Sequence, residues 1–121
     1  MNIEDLTLKQ IKEIQQIFPS SANNQTHPML GKRCLIRTYS AGVHIGDVVW
    51  INPENSMEVK LENSIRLWKW EGGGLSLSAV ANNGIKGGRL NKTGDVFLTN
   101  AIEYIPTSSE AEQSYVKFIE D

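Results

Sequence analysis

MEVKLENSIRLWKWEGGG, residues 57–74, carries the fold in its alternation. Met57, Val59 and Leu61 alternate with Glu58 and Lys60, and a hydrophobic period of two marks a strand with one dry face and one wet face. Asn63 reads as a turn, after which Ile65 and Leu67 alternate with Arg66, Trp68 and Trp70. The glycines at 72–74 end the pattern, because glycine weakens a strand and favours tight, unusual backbone.

Working upstream, Asn52-Pro53-Glu54-Asn55 is a turn. Before it, Val43, Ile45, Val49 and Ile51 are expected on one face of a strand that Asp47 interrupts, with Gly46 marking a bulge or a close backbone contact. Ser40-Ala41-Gly42 turns the chain again. Arg33–Tyr39 then forms the first strand, with Cys34, Ile36 and Thr38 on one face and Leu35, Arg37 and Tyr39 on the other. Four short strands joined by tight turns describe a meander curling towards a small barrel.

Downstream, Leu75–Asn83 is a short helix with Ser76 as its cap and Gly84 at its end. Gly84–Arg89 reads as a second glycine-rich loop, and Val96–Leu98 and Ile102–Ile105 supply further strands. Thr107 and Glu110 form a capping box that opens a final helix with Ala111, Tyr115, Phe118 and Ile119 on one side. At the other end, Thr7 and Gln10 cap a helix with Leu6 and Ile11 as its hydrophobic staple, and Ile11, Ile14 and Phe18 repeat at helical spacing until Pro19. The expected organisation is an N-terminal helix at 1–19, a polar linker at 20–28, and one β-rich domain with a C-terminal helix at 29–121. The fold class is α+β: a small SH3-like β-barrel or a curled antiparallel sheet, flanked by N- and C-terminal helices.

Composition bounds the chemistry. A chain of 121 residues with 40% apolar and 21% charged residues suits one globular domain. A net charge of −2 argues against general nucleic-acid binding, which calls for a basic stripe. The single cysteine, Cys34, excludes an intramolecular disulfide and a cysteine-based zinc site, and its apolar neighbours predict a buried, inert thiol. No long apolar segment and no signal-peptide pattern occurs, so a cytosolic protein without membrane contact is expected.

Catalytic constellations are sparse. His27 and His44 are the two histidines, and neither sits in a ligand-spaced cluster, so no metal or other cofactor is expected. Ser40 and His44 resemble a nucleophile and base, yet no nucleophile elbow or acidic orienter accompanies them. His44 is expected on the same side as Trp50 if no bulge intervenes. Gly72, Gly73 and Gly74 precede a helix, and Lys86 and Arg89 follow in the second glycine-rich loop, an arrangement that suits phosphate or serves as tight turns. It is not a P-loop: in GGRLNKT, Asn91 stands where the second Walker glycine belongs. Arg66, Trp68 and Trp70 share one strand face in this reading, and Arg37 and Tyr39 share another. Where such faces meet, flat rings flanked by guanidinium groups stack bases and hold phosphate; otherwise the tryptophans fill the barrel.

IRTYSAGVHIG (36–46), the IRLWKWEGG to NGIKGG block (65–88) and AIEYIPTSSEA (101–111) resemble a family of small phage- and prophage-encoded proteins with no assigned function. The resemblance spans roughly residues 30–114. It implies an accessory protein that acts by binding host defence components, and it transfers no catalytic residues. The expectation is a non-enzymatic, counter-defence binding protein of the host cytoplasm that sequesters a nucleotide-like immune signal as a homo-oligomer. In that role Tyr39 and Trp68 stack on the ligand, Arg37, His44, Lys86 and Arg89 contact phosphate, and Gly72–Gly74 allow close approach. The alternatives are a protein–protein inhibitor of a defence complex such as a CRISPR effector, a small phosphodiesterase using His44, and a phage structural accessory protein.

Overall fold

A computed structural model describes residues 27–120. The N-terminal helix and most of the linker expected from the sequence lie outside the described residues. The rest is an α+β fold built on one five-stranded antiparallel sheet. Its strands are β1 (Arg33–Thr38), β2 (Val43–Asn52), β3 (Asn55–Glu71), β4 (Gly87–Leu98) and β5 (Ala101–Pro106), in the spatial order β4-β3-β2-β1-β5. Two short helices accompany it, α1 (Leu77–Asn83) and α2 (Ser109–Val116).

The sheet is strongly curled but not closed into a barrel. Strands β4 and β5 form its opposite edges, yet only Thr99 and Asn100 separate them in sequence. Three Cα steps span at most about 11 Å, so the two edges must approach each other at that end. Two hydrogen bonds fasten the junction to the β1–β2 turn: Tyr39 N donates to Asn100 O at 2.9 Å, and Asn100 Nδ2 donates to Ser40 Oγ at 2.6 Å. Across the curl, Tyr104 Oη donates to Ser56 O at 2.6 Å. His27 belongs to this same side, its ring packed on Tyr104 at 5.2 Å.

The curl encloses one core and the helices cover another. Inside the curl lie Cys34, Ile36, Val48, Ile51, Val59, Leu61, Leu98 and Ala101. On the opposite face Leu35, Ile45, Ile65, Leu67 and Leu90 pack against Val80, Ala81, Ala111 and Tyr115 of the helices. The helices are stitched together as well: Tyr115 Oη donates to Val80 O at 2.7 Å, and Ser114 Oγ accepts from Ile85 N at 3.0 Å. Ser76 caps α1 and Gly84 closes it, as the sequence indicates. At α2 the cap is Ser108 instead of Thr107, and the Thr107 hydroxyl is engaged by the Glu112 carboxylate at 2.6 Å.

Bulges account for where strand reading and structure part. Residues 57–61 and 65–70 do not form two strands with a turn at Asn63; they form one strand of 17 residues. Asn63 takes a left-handed backbone (φ 51°) where Asn63 and Ser64 together face Gly46. The extra residue reverses the alternation, so Val59 and Leu61 enter one core while Ile65 and Leu67 enter the other. Gly46 is a close contact, as expected: a Cβ there would lie 2.9 Å from the Ser64 Cβ. A second shift, between Val48 and Trp50, leaves Val49 exposed and turns Ile51 inward. Val49 and Ile51 therefore do not share a face, and Trp50 does not lie on the side of His44. Finally, Gly87–Arg89 are not loop but the first residues of β4, paired with Lys69–Glu71.

Candidate functional site

Trp68 is the extra residue of a third bulge, where Leu67 pairs with Leu90 and Lys69 already pairs with Arg89. The bulge separates the two tryptophans. Trp70 packs against the helix-covered core, whereas Trp68 stays 59% exposed. The expected shared face of Arg66, Trp68 and Trp70 therefore breaks after Trp68.

Exposed as it is, the Trp68 ring is held on two sides. Its Nε1 donates to Asn91 Oδ1, and the Arg66 guanidinium lies over its face, 3.8 Å from the ring centroid. That stacking is favourable because the π face is negative and guanidinium is weakly hydrated. Arg66 itself is bracketed by Gly42, where a Cβ would sit 2.7 Å from a guanidinium nitrogen. Any other residue at 42 would collide with Arg66 and also strain a backbone at φ +88°.

Register explains the grouping. Ile36, His44, Arg66 and Asn91 lie opposite one another across β1, β2, β3 and β4, and directly opposed residues share a face. His44 is buried beneath the β1–β2 turn, where its Nε2 meets Ala41 O at 2.9 Å. A carbonyl only accepts, so Nε2 carries the proton and Nδ1 faces inward as an acceptor without a partner. Burial holds the imidazole below its ordinary pKa, the hydrogen bond to Ala41 opposes this, and the charge of Arg66 adds to it. Arg66 Nε is likewise buried without a partner.

Beside the indole opens a cleft of about 330 Å³ lined by Trp68, Arg89, Leu90, Asn91 and Glu120. The chain after α2 builds its outer wall: Ile119 forms a parallel bridge to Leu90, and Glu120 N donates to Leu90 O at 2.7 Å. This places the Glu120 carboxylate against Arg89, which donates to both oxygens at 3.0 Å. Hydrogen bonding to Arg89 holds the Glu120 carboxyl below its ordinary pKa.

Of the residues singled out in the sequence, the structure brings Trp68 and Arg89 into this one cleft. Lys86 and the glycine triplet adjoin each other at the end of the β3–β4 pair, where Lys86 N donates to Glu71 O and a Cβ on Gly72 would meet the Lys86 side chain. Gly73 packs so tightly on Gly84 O that no side chain fits. The triplet closes a loop onto residues 84–86, and two residues, Leu75 and Ser76, separate it from α1, whose first turn Ser76 already caps. Arg37 stands on the other face of the sheet from Arg66, which stacks on Trp68. Arg37 lies opposite Val43, on the helix-covered side, and pairs with Glu103 at 3.6 Å. Tyr39 is exposed in the turn after β1. The grouping of Arg66 with Trp68, expected from their two-residue spacing, is present as a guanidinium stacked on the indole, whereas the hydrogen bond from Trp68 to Asn91 carries no signal in the sequence. Asn91, Leu90 and Glu120 come from distant segments that only strand pairing unites. Among the described residues, no three of His, Cys, Asp and Glu are grouped as a metal site would require, and no helix is long and apolar enough to cross a membrane.

Residues 31–115, from just before β1 into α2, match the family described as a domain of unknown function, DUF6948, and the chain belongs to that family. No curated protein and no solved structure matches it.

Proposed function

We propose that this protein is a non-enzymatic binding protein that sequesters a nucleotide-like ligand on the Trp68 platform, in a phage-type counter-defence role. The observation that carries the reading is an indole more than half exposed, yet fixed by Asn91 and by a guanidinium stacked on its face. A rigid exposed ring loses little entropy on binding and offers a planar surface to a base, and the adjoining arginines suit phosphate. His44 supports binding over catalysis, since it is buried and holds the turn above it through Ala41. Localisation in the host cytoplasm and assembly into a homo-oligomer belong to the same proposal.

The test is incubation with a panel of cyclic and linear signalling nucleotides, followed by heat release and chromatography. Depletion with intact recovery, lost in Trp68→Ala while the fold persists, supports sequestration. Conversion to a new species makes the protein an enzyme, and indifference to every compound removes the nucleotide reading.

One observation favours a second reading, inhibition of a host defence protein. Trp50 and Phe97 pack against each other at 5.5 Å and are both exposed, next to exposed Val49. Exposed aromatic clusters are common anchors of protein interfaces. If that reading holds, Phe97→Ser abolishes a mass shift on mixing with the host complex and Trp68→Ala does not.

A further inference from the structure

The outer face of the sheet is covered at one end and bare at the other. Around Ile45 and Ile65 it lies under the helices. Further along, Trp50, Lys60 and Phe97 stand opposite one another across β2, β3 and β4, and so share a face. Their neighbours Ile51, Val59 and Leu98 belong to the core inside the curl, which leaves this row on the outside. The Trp50 and Phe97 rings pack at 5.5 Å, yet they remain 40% and 55% exposed, beside Val49 at 41%. Lys60 pairs with Glu62 at 3.8 Å and Glu58 flanks it on the other side, so the row carries two carboxylates to one cation.

The chain enters the domain at the edge of this row. Gly31 N donates to Val48 O at 2.8 Å, and Val48 N donates to Lys32 O at 2.9 Å, immediately before Val49 and Trp50. Residues 1–26 precede the described part. The stretch 20–26 reaches at most about 25 Å, enough to return over the row. Upstream of it, Ile11, Ile14 and Phe18 recur at helical spacing. A helix of about a dozen residues is marginal in water until its apolar stripe is buried. We infer that residues 7–18 form a helix that lies across β2, β3 and β4 of their own chain, with Ile11, Ile14 and Phe18 on the Trp50–Phe97 row. The lengths match. Ile11 to Phe18 rise about 10 Å along a helix, and β2 and β4, two strand spacings apart, also stand about 10 Å from each other. The charges match as well: in this segment Lys9 and Lys12 outnumber Glu13, against the acidic excess of the row. A host protein that uses the same patch has to displace the segment.

The experiment is hydrogen–deuterium exchange of the full chain, read by peptide mass spectrometry. Amides of the 7–18 segment are expected to exchange at least about tenfold more slowly than in an unstructured chain. Ile14→Asp, Phe97→Ser and Trp50→Ser are each expected to bring the segment within about twofold of the unstructured rate, while the strands keep their native protection. Lys12→Gln, on the polar side of the stripe, is expected to leave the segment protected. An unprotected segment in the native chain overturns the docking and leaves the patch to another protein. Protection that survives both Phe97→Ser and Trp50→Ser overturns it too, because the segment then packs elsewhere. Mixing the Ile14→Asp and Phe97→Ser chains separates the last alternative, since it brings together a native segment and a native row on different molecules. Protection that stays lost in the mixture supports docking within one chain, and restored protection makes the occupant a second copy and overturns it. None of these readouts involves a nucleotide, so the Trp68 platform stands or falls separately.

Discussion

Trp68 and Trp70 stand two residues apart on β3 and meet opposite environments. Trp70 joins Leu67, Leu90 and the helices in a core whose central residues are closed to water. Trp68 faces solvent across a single bulge, with Arg66 and Asn91 as its supports. The two sides are stabilised by different forces. Area removed from water dominates on the helix side, whereas directional contacts on a wet ring dominate on the other. Stability should therefore live with Trp70 and ligand affinity with Trp68.

The contrast breaks most visibly on the helix side. Tyr115 is fully buried and its hydroxyl reaches Val80 O, so Tyr115→Ala is expected to cost about 4 kcal/mol and to lower the urea midpoint sharply. A midpoint close to native would mean that α2 is dispensable to the core. Gly73→Ala should follow at about 3 kcal/mol, from a left-handed backbone and the collision with Gly84 O. A variant of native stability would show that the loop is free to shift, and would reopen the triplet to a ligand.

The tryptophan pair sharpens the comparison directly. Trp70→Ala is expected to cost about 2–3 kcal/mol, and Trp68→Ala about 0.5–1 kcal/mol, both measured by equilibrium unfolding. Equal losses would place Trp68 in the fold instead of on a platform. A smaller effect comes from His44. Burial keeps its folded pKa below the ordinary 6.5, so the unfolded chain takes up the proton first as pH falls. The stability this neutral imidazole contributes is present above about 6.5 and is lost as pH drops from there towards the folded value. Thermal unfolding at about pH 7.5 and about pH 5 should show a decline that is shallower in His44→Gln. Smallest of all, Glu120→Gln should leave the melting temperature unmoved, since its ion pair with Arg89 is exposed at the rim. A clear drop would make the tail a structural clamp.

Much of the fold was legible. The alternations over 33–38 and 57–61, the Pro53–Glu54 turn, the Ser76 and Gly84 caps and the inward face of Ala111 and Tyr115 on the last helix all rest on local chemistry, and each reappears in the structure. Phe118 and Ile119, expected on that helix, lie past its end at Val116, where Ile119 instead bridges to Leu90. Of the candidate site, the exposure of Trp68 and the nearness of Arg89 were partly legible. The separation of Arg37 from them was not, because which faces of two strands coincide is set by their pairing and by the bulges in the strand that carries Trp68.

Residue pattern alone determined that this chain makes antiparallel strands, that they turn at Ser40–Gly42 and Pro53–Glu54, and which short segments coil into helices. Those outcomes depend on side chains within a few positions of one another. Tertiary structure decided which core each strand segment fills, that Trp68 and Trp70 part company, and that Glu120 meets Arg89. A bulge exists only against a partner strand, as Asn63 does against Gly46 and Trp68 against the Leu90–Arg89 step. The partner lies about twenty residues away in each case, and no local propensity encodes it.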